Sequence, residues 1–164
     1  YTENLGAWSA PVITLAALLG CSLADEITEE GECIDTTEGT ALEHVELTFT
    51  EDVWLQGMVA EVIRSQADLD AFEAAHSLEL SETIDFDTEQ VLVASVQVGS
   101  TCGVDAPIVE VLEVDGGAHL ELEVTNPDGT CAEVCDMAWM EVVAVSVPAD
   151  LEATVCSRLV ETCS

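Results

Sequence analysis

From Leu42 onward, apolar and polar positions alternate along most of the chain. Val45-Glu46-Leu47-Thr48-Phe49-Thr50 repeats with a period of two, as a strand with one wet face does. Met58-Val59-Ala60-Glu61-Val62-Ile63 predicts a second strand. The period then changes to that of a helix. Ser65 stands as its cap, with Asp68 three residues on, in the spacing of a capping box. Leu69, Phe72 and Ala75 share one helical face, and the helix is expected to end near His76-Ser77. Val91 to Val98 is the most continuously apolar run and predicts a central strand. Ile108 to Val114 and Leu120 to Val124 alternate with glutamate on either side of Asp115-Gly116-Gly117, a hairpin signal. Pro127-Asp128-Gly129 predicts a further turn. Met140 to Val147 reads as a strand stopped by Pro148, and Leu151 to Cys156 as a short edge strand. The pattern predicts a mainly β domain of the α+β kind: one antiparallel sheet or sandwich-like arrangement over residues 42–164, carrying one helix.

The first forty residues follow a different pattern. Ala7 to Leu23 carry no charge, and Pro11 to Leu19 form an apolar run too short to span a bilayer comfortably. The run ends in Leu18-Leu19-Gly20-Cys21, which resembles the bacterial lipobox. That resemblance implies a signal peptide over 1–20, removed so that the Cys21 thiol carries a diacylglyceryl group at the mature N-terminus. Ser22 then implies passage to the outer membrane. Only Glu3, with no Lys or Arg, precedes the run, so the basic region of such a leader is expected upstream of Tyr1. An ordinary leader cut near Ala24 and a retained anchor are the competing readings. Residues 21–41 are acidic and aperiodic, and are expected to be a solvated tether.

The cysteines fit this address. There are seven, and lipidation of Cys21 leaves an even set: Cys33, Cys102, Cys131, Cys135, Cys156 and Cys163. In an exported chain these are disulfide candidates, and spacing does not choose the pairing. A sharper reading concerns Cys131-Ala132-Glu133-Val134-Cys135, which resembles the binuclear copper loop of respiratory oxidases and raises a cupredoxin-like alternative. The positions that hold histidine and methionine in that loop are Trp139 and Val142 here, and Met137 and Met140 are out of register. Without the imidazole a principal ligand is missing, so disulfide bonding is the expectation.

Charge narrows the possible partners. The chain has 34 acidic residues against Arg64 and Arg158, no lysine, and a formal net charge of -32. Such a surface repels nucleic acid and anionic lipid, and two arginines cannot make a phosphate-binding patch. The acids are spread along the whole chain, which favours adaptation to a saline medium over a dedicated cation site. Asp85, Asp87 and Glu89 form the densest cluster beside a predicted strand and are weak calcium candidates. They lack the glycine and final glutamate of an EF-hand loop. His44, His76 and His119 fall in separate segments outside any nucleophile motif, and are expected at the surface or at caps. Trp54 and Trp139 are expected in or near the core.

The order of segments resembles the C-terminal domain of the PrcB family, protease-complex subunits found as envelope lipoproteins. The shared run comprises Val62-Ile63-Arg64-Ser65 entering the helix with Leu69 and Phe72, then Ile84-Asp85-Phe86 and Val91-Leu92-Val93-Ala94 ending at Gly99. The hairpin from Ile108 to Val124 and the strand Val142 to Pro148 complete it. Where that family has Gly-Gly and an aromatic, this chain has Cys102-Gly103-Val104, which implies a disulfide-reinforced variant. The resemblance implies a non-enzymatic envelope lipoprotein, in the periplasm or at the cell surface, whose β domain binds or stabilises a protein partner. It brings no catalytic residue and no cofactor. The turn Asp85–Glu89 and the Cys102 loop are then candidate contact regions. The alternative is a calcium-dependent or salt-adapted binding module.

Overall fold

The run from Val91 to Val98 is buried on both faces except at Gln97. Val91 and Val93 point to one side and Leu92, Ala94, Val96 and Val98 to the other, and all six are fully buried. A strand apolar on both faces needs a cover on each. In the computed structural model, which describes residues 26–50, 55, 57–98, 107–126 and 139–161, both covers are present. The strands are β1 Glu26–Gly31, β2 Thr40–Ala41, β3 Val45–Leu47, β4 Val59–Ile63, β5 Glu89–Val98, β6 Ile108–Val114, β7 Gly117–Asn126, β8 Trp139–Pro148 and β9 Ala153–Glu161. The helix α1, Gln66–His76, lies between β4 and β5. The central run is β5, in a sheet ordered β3-β8-β5-β4; the second sheet is ordered β1-β9-β7-β6-β2. Every pairing is antiparallel except β7 with β9.

Two cores follow from the two faces of β5. Val91 and Val93 pack with Leu47, Val59, Ile63 and Ala144 against Leu69 and Phe72 of α1 and the returning Leu78, Leu80 and Ile84. Leu92, Ala94, Val96 and Val98 pack with Val145 and Val147 against Leu120, Leu122 and Val124 of the other sheet. Each fully buried aliphatic side chain contributes about 1.5–3 kcal/mol over its exposed state. The expected mainly β architecture with a helix is therefore present among the described residues, in its sandwich-like form of two sheets.

Local chemistry sets the helix ends. Ser65 Oγ accepts from the Asp68 N–H at 3.1 Å, and its hydroxyl donates to Asp68 Oδ2 at 2.7 Å, forming the expected cap. The helix closes at Ser77 in the left-handed region, where the Leu78 N–H donates to the Glu73 carbonyl. Leu69 and Phe72 make the buried face. Ala75 is exposed instead of continuing it, and half-buried His76 rests on the Phe72 ring with centroids 4.7 Å apart.

The hairpin lies where Asp115-Gly116 directs it. Both residues have positive φ, 52° and 80°, the two-residue turn that suits strand twist. Two segments differ from expectation. The tether expected over 21–41 contains β1, paired along its length with β9 from Glu26↔Glu161 to Gly31↔Cys156. Its acidic composition suits an edge strand whose side chains stay wet. The final strand is longer than Leu151 to Cys156 and is interior: β9 lies between β1 and β7, parallel to β7. The expected turn at Pro127-Asp128-Gly129, Trp54 and the leader lie outside the described residues.

The sheets meet closely along β4 and β9. The Ser157 hydroxyl donates to the Val59 carbonyl at 2.8 Å and accepts from the Ser95 N–H at 3.2 Å, so β9 is stitched to the end of the β4–β5 ladder. Gly31, at φ +86°, sits in this corner. A Cβ there would overlap the Val155 carbonyl oxygen and come within 2.6 Å of Ala60 Cβ. Around Gly116 there is open space. Gly31→Ala should therefore destabilise the fold by ~2 kcal/mol or more, through steric overlap added to backbone strain. Gly116→Ala should cost only about 1 kcal/mol for its positive φ. Urea melts of the two variants check this; equal losses would count against the tight β1–β4–β9 corner.

Candidate functional site

The outer face of the β1-β9-β7-β6-β2 sheet carries the densest polar arrangement among the described residues. Register aligns Glu29, Arg158, Glu123 and Ile108 in one row across β1, β9, β7 and β6. The next row holds Gly31, Cys156, Glu121 and Glu110, and the one after it Thr154, His119 and Leu112. Alternation sends the intervening Leu120, Leu122 and Val124 inward to the core.

Residues 32–39 form a strap over part of this face. They leave β1 at one sheet edge and reach β2 at the other, so they cross β9, β7 and β6 on the way. A disulfide joins Cys33 to Cys156, with Cα atoms 4.8 Å apart, and pins the start of the strap to β9. The Glu32 N–H donates to the Val155 carbonyl at 2.9 Å. Farther along, Asp35 accepts from the N–H and hydroxyl of Thr37, which holds its carboxyl below the usual range. Gly39 closes a turn onto the Thr36 carbonyl and lies against Leu112 and Val114. Two of the six disulfide candidates are thus paired. Cys102, Cys131, Cys135 and Cys163, and the lipidation candidate Cys21, lie outside the described residues.

Beside the strap, one cation serves three carboxylates. Arg158 Nε donates to Glu29 at 2.9 Å, and Nη1 reaches Glu121 at 3.3 Å and Glu123 at 3.2 Å. Burial opposes the guanidinium charge, but the hydrogen bond to Glu123 and the fields of Glu121 and Glu29 outweigh it, and the pKa rises. Glu121 is pushed up by burial, eased by Arg158 and raised again by Glu123 and Glu110. Neither effect was visible in the sequence. The signal available was that Arg158 is one of only two cations in a chain this acidic.

His119 departs from its expected surface role. It is 1% exposed, because β7 is an interior strand and the face it points to lies under the strap. Its Nδ1 shares a 2.7 Å hydrogen bond with the Thr154 hydroxyl, and Nε2 is buried with no protein partner. Burial pushes its pKa below the ordinary value; Glu32 pulls it up and Arg158 pushes it down. The other two histidines fit expectation better. His44 Nδ1–H donates to the Leu42 carbonyl at the surface. His76 sits at the helix end, 3.8 Å from Glu61.

The calcium candidates occupy the turn that leads into β5. Asp85 Oδ1 accepts from the Asp87 N–H at 3.2 Å, Oδ2 accepts from the Thr88 hydroxyl at 3.2 Å, and the Asp85 carbonyl takes the N–H groups of Thr88 and Glu89. Glu89 accepts from the Ser146 hydroxyl at 3.3 Å. The Asp85 carboxylate serves as acceptor for the turn, and among the described residues no three of His, Cys, Asp or Glu converge on a point that would hold a metal. Glu89 and Ser146 line an open cavity of about 340 Å³ with Glu43, His44 and Thr88. There the Ser146 proton goes to Glu89 and the His44 Nδ1 proton to the Leu42 carbonyl, so neither hydrogen bond pairs the hydroxyl with the imidazole as nucleophile and base.

Searches against protein-family models, curated proteins and solved structures found no match. Among the described residues, no helix is long and apolar enough to cross a membrane.

The Cys33–Cys156 bridge closes a loop spanning 123 residues. A Cys33→Ser/Cys156→Ser chain should lose about 2–5 kcal/mol, read as a lower melting temperature than that of the oxidised wild type. An unchanged melt would mean that the bridge does not restrain the fold. The depressed His119 pKa favours the neutral folded form, so its contribution is present above the ordinary value of 6.5 and is lost as pH falls below it. Glu121 works the other way: its raised pKa makes the folded state relatively more stable as pH falls toward 4.5. Relative to His119→Gln, wild type should therefore gain stability as pH rises from about 5 to about 7. A pH-independent difference would mean that His119 does not titrate differently in the folded chain.

Proposed function

We propose that this chain is a non-enzymatic cell-envelope lipoprotein, anchored to the outer membrane through Cys21, whose β domain binds or stabilises a protein partner. The observation that carries the reading is the Cys33–Cys156 disulfide. Such bonds persist in oxidising compartments and are rare in the cytosol, so the bridge agrees with the export address in Leu18-Leu19-Gly20-Cys21. The bridge also ties the strap to the domain, so that β1 is held in the sheet close behind the proposed anchor.

The partner half of the reading rests on surface chemistry and on the resemblance to PrcB C-terminal domains. The described polar clusters serve structure: a turn at Asp85, a counter-ion cluster at Arg158 and a strap contact at Glu121. Large aliphatic side chains nevertheless stand exposed at Ile27, Val45, Ile108 and Val109. Ile27 and Val45 stand singly, as surface aliphatics commonly do, and the adjacent pair Ile108-Val109 on β6 is what supports contact with another protein.

Anchoring is tested by labelling cells that express the chain with radioactive palmitate. Wild type should take up label and fractionate with membranes, and Cys21→Ser should lose both while retaining the Cys33–Cys156 bridge. Label that survives Cys21→Ser would sink the lipoprotein assignment.

A further inference from the structure

Among the described residues, the sheet edge at β6 is left unfinished. β2 covers it for two residues only, Thr40↔Glu113 and Ala41↔Leu112, and the Leu42 N–H adds a bond to the Val111 carbonyl at 2.9 Å. The chain then turns away, because β3 begins at Val45 in the other sheet. Main-chain groups alternate sides along a strand, so the N–H and C=O of Val109 face the same edge as the Val111 carbonyl. Among the described residues, no strand lies opposite Ile108–Glu110 on that side.

The side chains there agree with the backbone. Ile108 is 50% exposed and Val109 43%, and the two point to opposite faces of the sheet. Two adjacent β-branched residues bare on both faces make the pattern of an interior strand, here at an edge. Natural edges are normally blunted by charge, proline or a cover, and here Pro107 and Glu110 flank the bare pair without covering it. The other long edge, β1, follows that rule with Glu26, Glu29 and Glu30 along six residues.

We propose that the β6 edge at Ile108–Glu110 is a strand-addition site, which takes an extended segment of the protein partner along the line that β2 abandons at Leu42. This deepens the partner-binding reading and rests on it. An incoming strand supplies the missing main-chain partners at Val109 and places alternate side chains over Ile108 and Val109. Charge defines its chemistry. Glu110 and Glu113 lie on the same strand, Glu123 is opposite Ile108 and Glu121 is opposite Glu110, and Arg158 offsets only part of this. The segment that fits alternates apolar residues with lysine or arginine. A second copy of this chain fits badly, since each copy has two cations and a net charge of -32.

The test uses the full chain and a short fluorescent peptide alternating lysine and valine. Anisotropy should give saturable binding, and amide NMR should place the perturbations on Ile108–Val111 with slowed exchange at the Val109 N–H. N-methylation along one edge of the peptide, or Val109→Pro in the protein, removes main-chain bonds facing the partner and should weaken binding about tenfold. Because Val109 points its N–H away from β7, the proline variant should keep the wild-type melt. Val109→Glu provides a second variant that keeps the N–H and should weaken binding by losing apolar contact. Equal binding by all variants, or perturbations spread over the acidic faces and abolished by salt, would mean charge attraction alone and overturn the proposal. Self-association through the same residues without peptide would overturn it in favour of a second copy. Cross-linking in envelopes that yields one partner from wild type and Val109→Pro alike would overturn the edge while sparing the partner reading.

Discussion

A strand buried on both faces is the constraint on which the rest of the structure depends. β5 exposes almost nothing, so its two sides must be covered by different elements. Val91 and Val93 recruit α1 and the segment that returns from it. Leu92, Ala94, Val96 and Val98 recruit the second sheet. The helix cap at Ser65, the Gln90 amide that donates to the Pro148 and Leu151 carbonyls, and the Ser157 bridge between β4 and β5 all fix the covers around that strand. Losing one cover would expose a continuous apolar stripe, which is why these small polar contacts sit at its margins.

The second organising force is the surplus of negative charge. A net charge of -32 leaves almost no counter-ion inside the molecule, and the structure places one of its two arginines between β1, β9 and β7. Arg158 thereby holds the acidic edge strand to the sheet at the point where like charges would otherwise part it. The Cys33–Cys156 bridge does the same job covalently one row away. These two links hold β1 and the strap in place, and they explain how an acidic stretch with little apolar content is retained in a fold.

Much of this was legible along the chain. The hairpin at Asp115-Gly116, the capping box at Ser65, the central position of the Val91 run and the stop at Pro148 all depend on residues within a few positions of one another. The strand at Glu26–Gly31 was not legible, because its side chains have the composition of a tether and its pairing energy lies in main-chain bonds to β9, far away in sequence. His119 was misjudged for a related reason. Alternation said that its face of β7 points out of the core, and only the strap turns that outward face into a buried one. The Arg158 cluster needs three strands in register before it exists at all.

Sequence alone determined the mainly β character, the helix at Gln66–His76 and the acidic balance, because strand period, capping and charge are local or additive properties. Tertiary structure decided that there are two sheets, that β9 runs parallel beside β7, that residues 32–39 cross the outer face, and that Cys33 rather than another cysteine meets Cys156. Those outcomes depend on which edges and faces meet after long loops close, and a pattern of alternating residues describes each face without naming its neighbour.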